Sequence, residues 1–139
     1  MTLTLDEGLF AYLRGHAGLF ALVASRIFPD FFAQNETLPA IAFALEDDIS
    51  DMTQQGPSSL RKAIYHIGVW ADTAKDAMAV GSQLRFALDG YHGTFTDGLS
   101  PESTIRIPGS FLESFSRHRD PETGAFSVST RFTIFYQEP

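Results

Sequence analysis

The side chains able to do chemistry in this sequence are four histidines, one dense acidic run and one short basic run. His16, His66, His92 and His118 lie far apart, with neither the i,i+4 spacing nor the neighbouring carboxylates of a metal site. They read as isolated surface or locally satisfied histidines. Cysteine is absent, which removes thiolate ligands, thiol nucleophiles and disulfides together. Glu46, Asp47, Asp48 and Asp51 could hold a divalent cation or share a proton. They lack the glycine-centred ligand spacing of a calcium loop and any nearby predicted apolar pocket that would raise a carboxyl pKa. A solvated acidic loop is expected. Arg117, His118 and Arg119 are followed at once by Asp120 and Glu122, a pattern for local neutralisation or a salt bridge between subunits rather than for phosphate binding.

The sequence carries no phosphate-binding glycine loop, dinucleotide fingerprint, nucleophile elbow or zinc-binding helix. No catalytic residue, metal or cofactor is therefore expected. An enzyme would need a composite site, with His66, His92 and the acidic run as its only material. Metal binding abolished by His66→Ala would reveal one. A small-molecule binding module has no better support.

Composition bounds the rest. A chain of 139 residues, 44% hydrophobic and 19% charged, fits one domain, residues 1–139, with a packed core. Net charge is −7, which argues against DNA binding that draws affinity from Lys and Arg on phosphates but suits a wall past which DNA slides. Met1 to Ala11 has no basic stretch and no apolar run reaches membrane-spanning length, so synthesis and folding in the cytosol are expected, with no membrane partner. Thirteen phenylalanines point to a Phe-filled core, with a minority left for subunit contacts.

The elements follow from periodicity. Thr4 to Arg14 predicts a capped helix with Leu5, Leu9, Phe10 and Leu13 on one stripe, stopped by Gly15; Ala17 to Ala24 predicts a second, short one. Ala40 to Glu46 alternates as a strand. Asp47 to Leu60 reads as a long polar loop, the kind that is functional or mobile. Arg61 to Ala71 carries apolar groups on both faces, which predicts a strand covered on both sides with Trp70 in the core. Asp72-Thr73 caps a helix over Ala74 to Leu88, with Ala77, Val80, Gly81, Leu84 and Leu88 inward. Tyr91 to Thr96 predicts a short edge strand. Ile105 to Arg117, broken near Pro108-Gly109, and Phe126 to Tyr136 predict an antiparallel hairpin turning at Asp120–Gly124. The fold class is α+β: a mainly antiparallel sheet with a long helix and short N-terminal helices on one face.

Taken in order, these segments resemble the tail-completion, or tail-terminator, family of long-tailed bacteriophages and phage-like gene transfer particles. Leu5, Leu9 and Leu13 match its opening helix. Leu22-Val23-Ala24-Ser25-Arg26-Ile27-Phe28-Pro29 matches an L-V-x-x-R-I-(F/Y)-P stretch, and Leu38-Pro39-Ala40-Ile41-Ala42-Phe43 an L-P-x-I-x-(F/Y) strand entry. Ile67-Gly68-Val69-Trp70-Ala71-Asp72-Thr73 matches its strand-to-helix passage. Asp120, Thr123, Gly124, Arg131, Phe132, Ile134 and Tyr136 match the closing hairpin. The segment Asp30 to Glu36 departs from the pattern.

The resemblance implies a structural protein of a phage, prophage or gene transfer agent, not an enzyme. It implies a homo-oligomeric ring, usually a hexamer, that ends the tail tube and joins it to the head. The implied partners are the tail tube protein and a neck (stopper) protein, with DNA only in non-specific transit through the lumen. The implied location is the head-proximal end of the tail, assembled in the bacterial cytoplasm. Asp47, Asp48, Asp51, Met52, Gln54, Gln55 and Arg61 are the candidate assembly or lumen residues, and Arg117, His118, Arg119 and Asp120 the candidate hairpin contacts. A head-side neck component or a tube-related protein on a similar scaffold is the alternative.

Overall fold

A computed structural model describes residues 4–30, 37–53, 56–96 and 104–137. The predicted Asp30–Glu36 departure falls, after Asp30, outside them, as do Gln54 and Gln55.

Helix α1 (Leu5–Gly15) opens with a reciprocal cap: Thr4 Oγ1 accepts the Glu7 N–H at 3.2 Å, and the Glu7 carboxylate accepts the Thr4 N–H at 3.3 Å. Leu9 and Leu13 are buried, and Leu5 and Phe10 pack against the core. Helix α2 (Ala17–Val23) follows after His16. Arg26 then fastens its exit. Its guanidinium donates to the Leu22 carbonyl at 3.4 Å and to the Pro39 carbonyl at 2.9 Å. Strand β1 (Ile27–Pro29) thereby lies parallel to the start of β2 (Ala40–Thr53), Ile27 beside Ile41.

Strand β2 pairs antiparallel with β3 (Gly56–Ala71), β3 with β6 (Phe126–Gln137), β6 with β5 (Thr104–Arg119), and β5 with β4 (Gly93–Thr96). One six-stranded sheet results, in the order β1-β2-β3-β6-β5-β4. Helix α3 (Ala74–Leu88) starts at the Thr73 cap and buries the stripe predicted for it. Tyr12 donates to the Ala87 carbonyl at 2.6 Å and so ties α1 to α3. The core lies between these helices and one face of the sheet: Ile41 and Phe43 from β2, Tyr65, Ile67 and Val69 from β3, Val128, Phe132 and Ile134 from β6. Phe43, Phe95 and Phe132 are core, Phe20, Phe86 and Phe111 are exposed, and Phe10, Phe28, Phe115, Phe126 and Phe135 are half-buried, so fewer phenylalanines are core than the count suggested.

Gly81 sets the distance between α3 and the sheet. A Cβ there would stand 3.0 Å from Phe115 Cζ and 3.2 Å from Val128 Cγ1. Gly81→Leu should lever the helix outward and cost about 1–3 kcal/mol, read as a lower urea midpoint at unchanged slope.

Three expectations need correction. Asp47 to Leu60 is not a loop: β2 runs on to Thr53 and β3 begins at Gly56, so the segment is a hairpin arm. Neighbouring β6 ends its pairing at Leu60–Gln137, so among the described residues the outer arm is a two-stranded ribbon. Register shifts at Leu45/Asp47 and Ser50/Met52 also break the period-two pattern by which strands are read.

The second correction concerns β3, whose second face is only partly covered. Its odd-numbered residues from Ala63 to Ala71 are buried under helices; on the other face Ile64 and Gly68 are buried, but His66 and Trp70 are only partly so. Trp70 is therefore not in the core. Its ring lies over Gly68, where a Cβ would come within 2.5 Å of it, so the glycine leaves room for the ring. Third, the break at Pro108-Gly109 is a register shift between Arg106 and Gly109 within one continuous strand, not an interruption. Pro108 is accommodated where the ladder is irregular.

Candidate assembly surface

The sheet places the candidate residues at two opposite ends. The β2–β3 arm leaves one end, and the β5–β6 turn closes the other, since Ala71, Phe126 and Arg119 stand side by side there.

At the base of the arm the acidic run is divided by strand alternation. Asp48, beside Ala63 on the helix-covered face, accepts from Tyr136 Oη at 2.7 Å and from Arg61 Nε at 3.2 Å, and Arg61 Nε also donates to Tyr136 Oη at 3.1 Å. Residues from β2, β3 and β6 thus close one three-membered lock. Burial raises the Tyr136 phenol to about 12, helped by its bond to Asp48 and opposed by Arg61. Asp48 is accordingly not a solvated loop carboxylate. Asp47 is exposed and accepts the Asp48 N–H at 2.9 Å. Glu46 turns to the open face, where Arg131 reaches Glu46 at 3.2 Å and Glu113 at 3.5 Å, and Glu113 also accepts from Thr133. Asp51 and Met52 belong to β2 by their backbone, and Met52 pairs with Pro57.

Asp48→Ala should release the arm. It removes charge-assisted bonds that are partly solvent-screened, so the expected loss is about 1–2 kcal/mol. The sharper readout is faster hydrogen exchange confined to the β2–β3 amides beyond Leu60.

At the other end, Asp120 builds the turn. Its carboxylate accepts the Glu122 N–H at 2.9 Å and the Thr123 hydroxyl at 3.0 Å, which holds its pKa below the usual range. Gly124, at φ +74, returns the chain and donates to the Asp120 carbonyl at 2.8 Å. Asp120 is thus occupied as a turn residue. His118 stands 3.1 Å from Ser116 Oγ, and the Arg119 guanidinium lies 5.8 Å from the Phe126 ring centre. Among the described residues, Arg117 and Arg119 make no ion pair.

Sequence reasoning missed Tyr136 and Arg131 as organising residues, because both act across strands. It also missed the open-face pair Phe111 and Phe135, whose rings meet edge-on at 6.2 Å. The histidines do not converge. His66 lies on β3 and His92 precedes β4, three strands away, or roughly 14 Å by strand spacing. Among the described residues, no group of three His, Asp or Glu could hold a metal, and no helix is long and apolar enough to cross a membrane.

A family model described as "Tail completion protein gp17" matches residues 7–137. The chain belongs to that family. As a tail completion protein it is a structural component of a virion and not an enzyme. The fold agrees with this membership. A chain in the solved structure "Virion of native gene transfer agent (GTA) particle" superposes with a TM-score of 0.75 at 18% identity, over 97% of this chain and 95% of that one. No curated protein matches this chain. Within the tail completion protein, Arg26 joins two of the matched motifs physically, since it links the exit of α2 to Pro39 at the start of β2.

Proposed function

We propose that this tail completion protein forms a closed ring, a hexamer, that terminates the tail tube at its head-proximal end and joins it to the neck. The observation carrying this reading is the family match over nearly the whole chain, with a fold shared end to end with a component of a gene transfer particle. We read residues 1–139 as one unit of that ring. A cyclic ring needs two different patches per subunit, and this fold offers candidate contacts at two opposite ends of one sheet. The arm from Asp47 to Arg61 and the Arg117–Arg119 end are the surfaces assigned to neighbouring subunits, the tube protein or the neck protein. The net charge of −7 suits a passage through which DNA moves without specific contact.

Deleting the gene tests the role. Tails of normal length that fail to join filled heads, with joining restored by the wild-type gene, are the expected result. Normal joined particles in the deletion would refute it.

A further inference from the structure

Among the described residues, the two borders of the sheet are only partly covered. Strand β1 pairs with Ile41–Phe43 of β2, and the Asp30 N–H donates to the Phe43 carbonyl at 2.7 Å; the described pairing on that border ends there. On the other border β4 pairs with Thr104–Ile107 of β5. The next positions are taken by Asp89 and Gly90: Gly90 N–H donates to the Ser110 carbonyl at 2.7 Å, and Asp89 accepts the Leu112 N–H at 3.0 Å. Among the described residues, Ala44–Ile49 on β2 and Ser114–Arg119 on β5 have no main-chain partner on their outer side. An unpaired strand edge is a template for another strand.

The two free stretches match in three respects. Each is six residues long. They run in opposite directions within the sheet, so a neighbour placed beside this copy, the same way up, presents an antiparallel partner. Their exposed charges are opposite: Glu46 and Asp47 on β2, Arg117 and Arg119 on β5. They differ in level. Arg119 stands level with Ala71 of β3, and Ala44 level with His66, a stagger of roughly 17 Å at the rise of a strand. Shifting the neighbour by that amount sets the free stretches side by side. Its β1 then falls level with the β5–β6 turn rather than against β5.

We infer that a second copy of this chain docks edge to edge, with Ser114–Arg119 of one copy antiparallel to Ala44–Ile49 of the next and Arg117 and Arg119 alongside Glu46 and Asp47. The inference rests on the ring reading and specifies its subunit contact. Opposite charges fix which edge meets which and at what stagger, and they set like charges against the wrong pairing. Because the two edges differ, every copy uses both, and the contact repeats around the ring.

The chain has no cysteine, so introduced ones report cleanly. Asp47→Cys is combined with Arg117→Cys, and in parallel with Ser116→Cys to bracket the register, in the full-length protein within particles. Mild oxidation should give a ladder of cross-linked oligomers in at least one double variant and none in the single variants. Rings visible by electron microscopy that carry either cysteine pair but yield no ladder would overturn the contact and leave the ring intact. A disulfide dimer from a single variant would also overturn it, since it requires like edges to meet. Where the cysteine variants are not incorporated, charge exchange decides. Asp47→Arg or Arg117→Asp alone should reduce incorporation into particles at least about tenfold, and the two together should restore it. Failure of the pair to restore it overturns the contact. Absence of any ring of this chain from wild-type particles overturns the ring reading instead.

Discussion

Phe132→Ala should cost about 3–5 kcal/mol, a large part of the stability of a domain this size. Phe132 is fully buried on β6, with Tyr65 beside it on β3 and Leu112 on β5, under the helices. Removing the ring leaves a cavity that three paired strands cannot close, because their spacing is fixed by the ladders on either side. Phe86→Ala is the control. That ring is 80% exposed on α3, and its loss should change stability by no more than about 0.5 kcal/mol. Urea unfolding of both proteins checks the contrast.

The second large effect is alkaline unfolding. A free tyrosine ionises near pH 10. Tyr12 is raised to about 12 by burial and then by Tyr91, and Tyr136 to about 12 by burial and its bond to Asp48. Tyr65 is raised further still, first by burial and then by its hydrogen bond to Asp6 on α1. In each case the folded pKa lies above the unfolded one, so the folded state holds the proton longer. The contribution is complete below pH 10 and is lost as pH rises to 12, with the Tyr65 share lost beyond that. Stability should be flat from neutral pH to about 10 on this account and then fall steeply. Tyr65→Phe should flatten the alkaline limb while lowering stability at neutral pH, because Asp6 loses its partner. Unfolding midpoints measured across this range with tyrosinate absorbance check the slope.

Much of this was legible because it depends on local patterns. The Thr4 cap, the α3 stripe and the Phe126–Tyr136 alternation each announce one element, and each element stands where expected. The arm was not legible. Asp47, Asp48 and Asp51 carry loop chemistry, and two bulges erase the alternation that would have declared a strand. Strand status there is imposed by pairing with β3, from Ile64 opposite Asp47 to Gly56 opposite Thr53, a partner that composition does not reveal. The same limit explains Trp70: its neighbours in sequence are apolar, but it is only partly buried, on the face of the sheet turned away from the described helices. It also hid the Asp48–Arg61–Tyr136 lock, whose members come from three strands. The candidate residues fall on the β2–β3 arm, expected as a loop, and at the β5–β6 end. Their roles differ: Asp48 and Asp120 hold structure, while Asp47, Arg117 and Arg119 face outward.

The direct test of the account is an electron-microscopy reconstruction of the intact particle with this chain located in it. The account predicts one closed ring of this fold between the last ring of the tail tube and the neck. Finding the fold repeated along the tube, built into the head shell, or missing from that junction would contradict it.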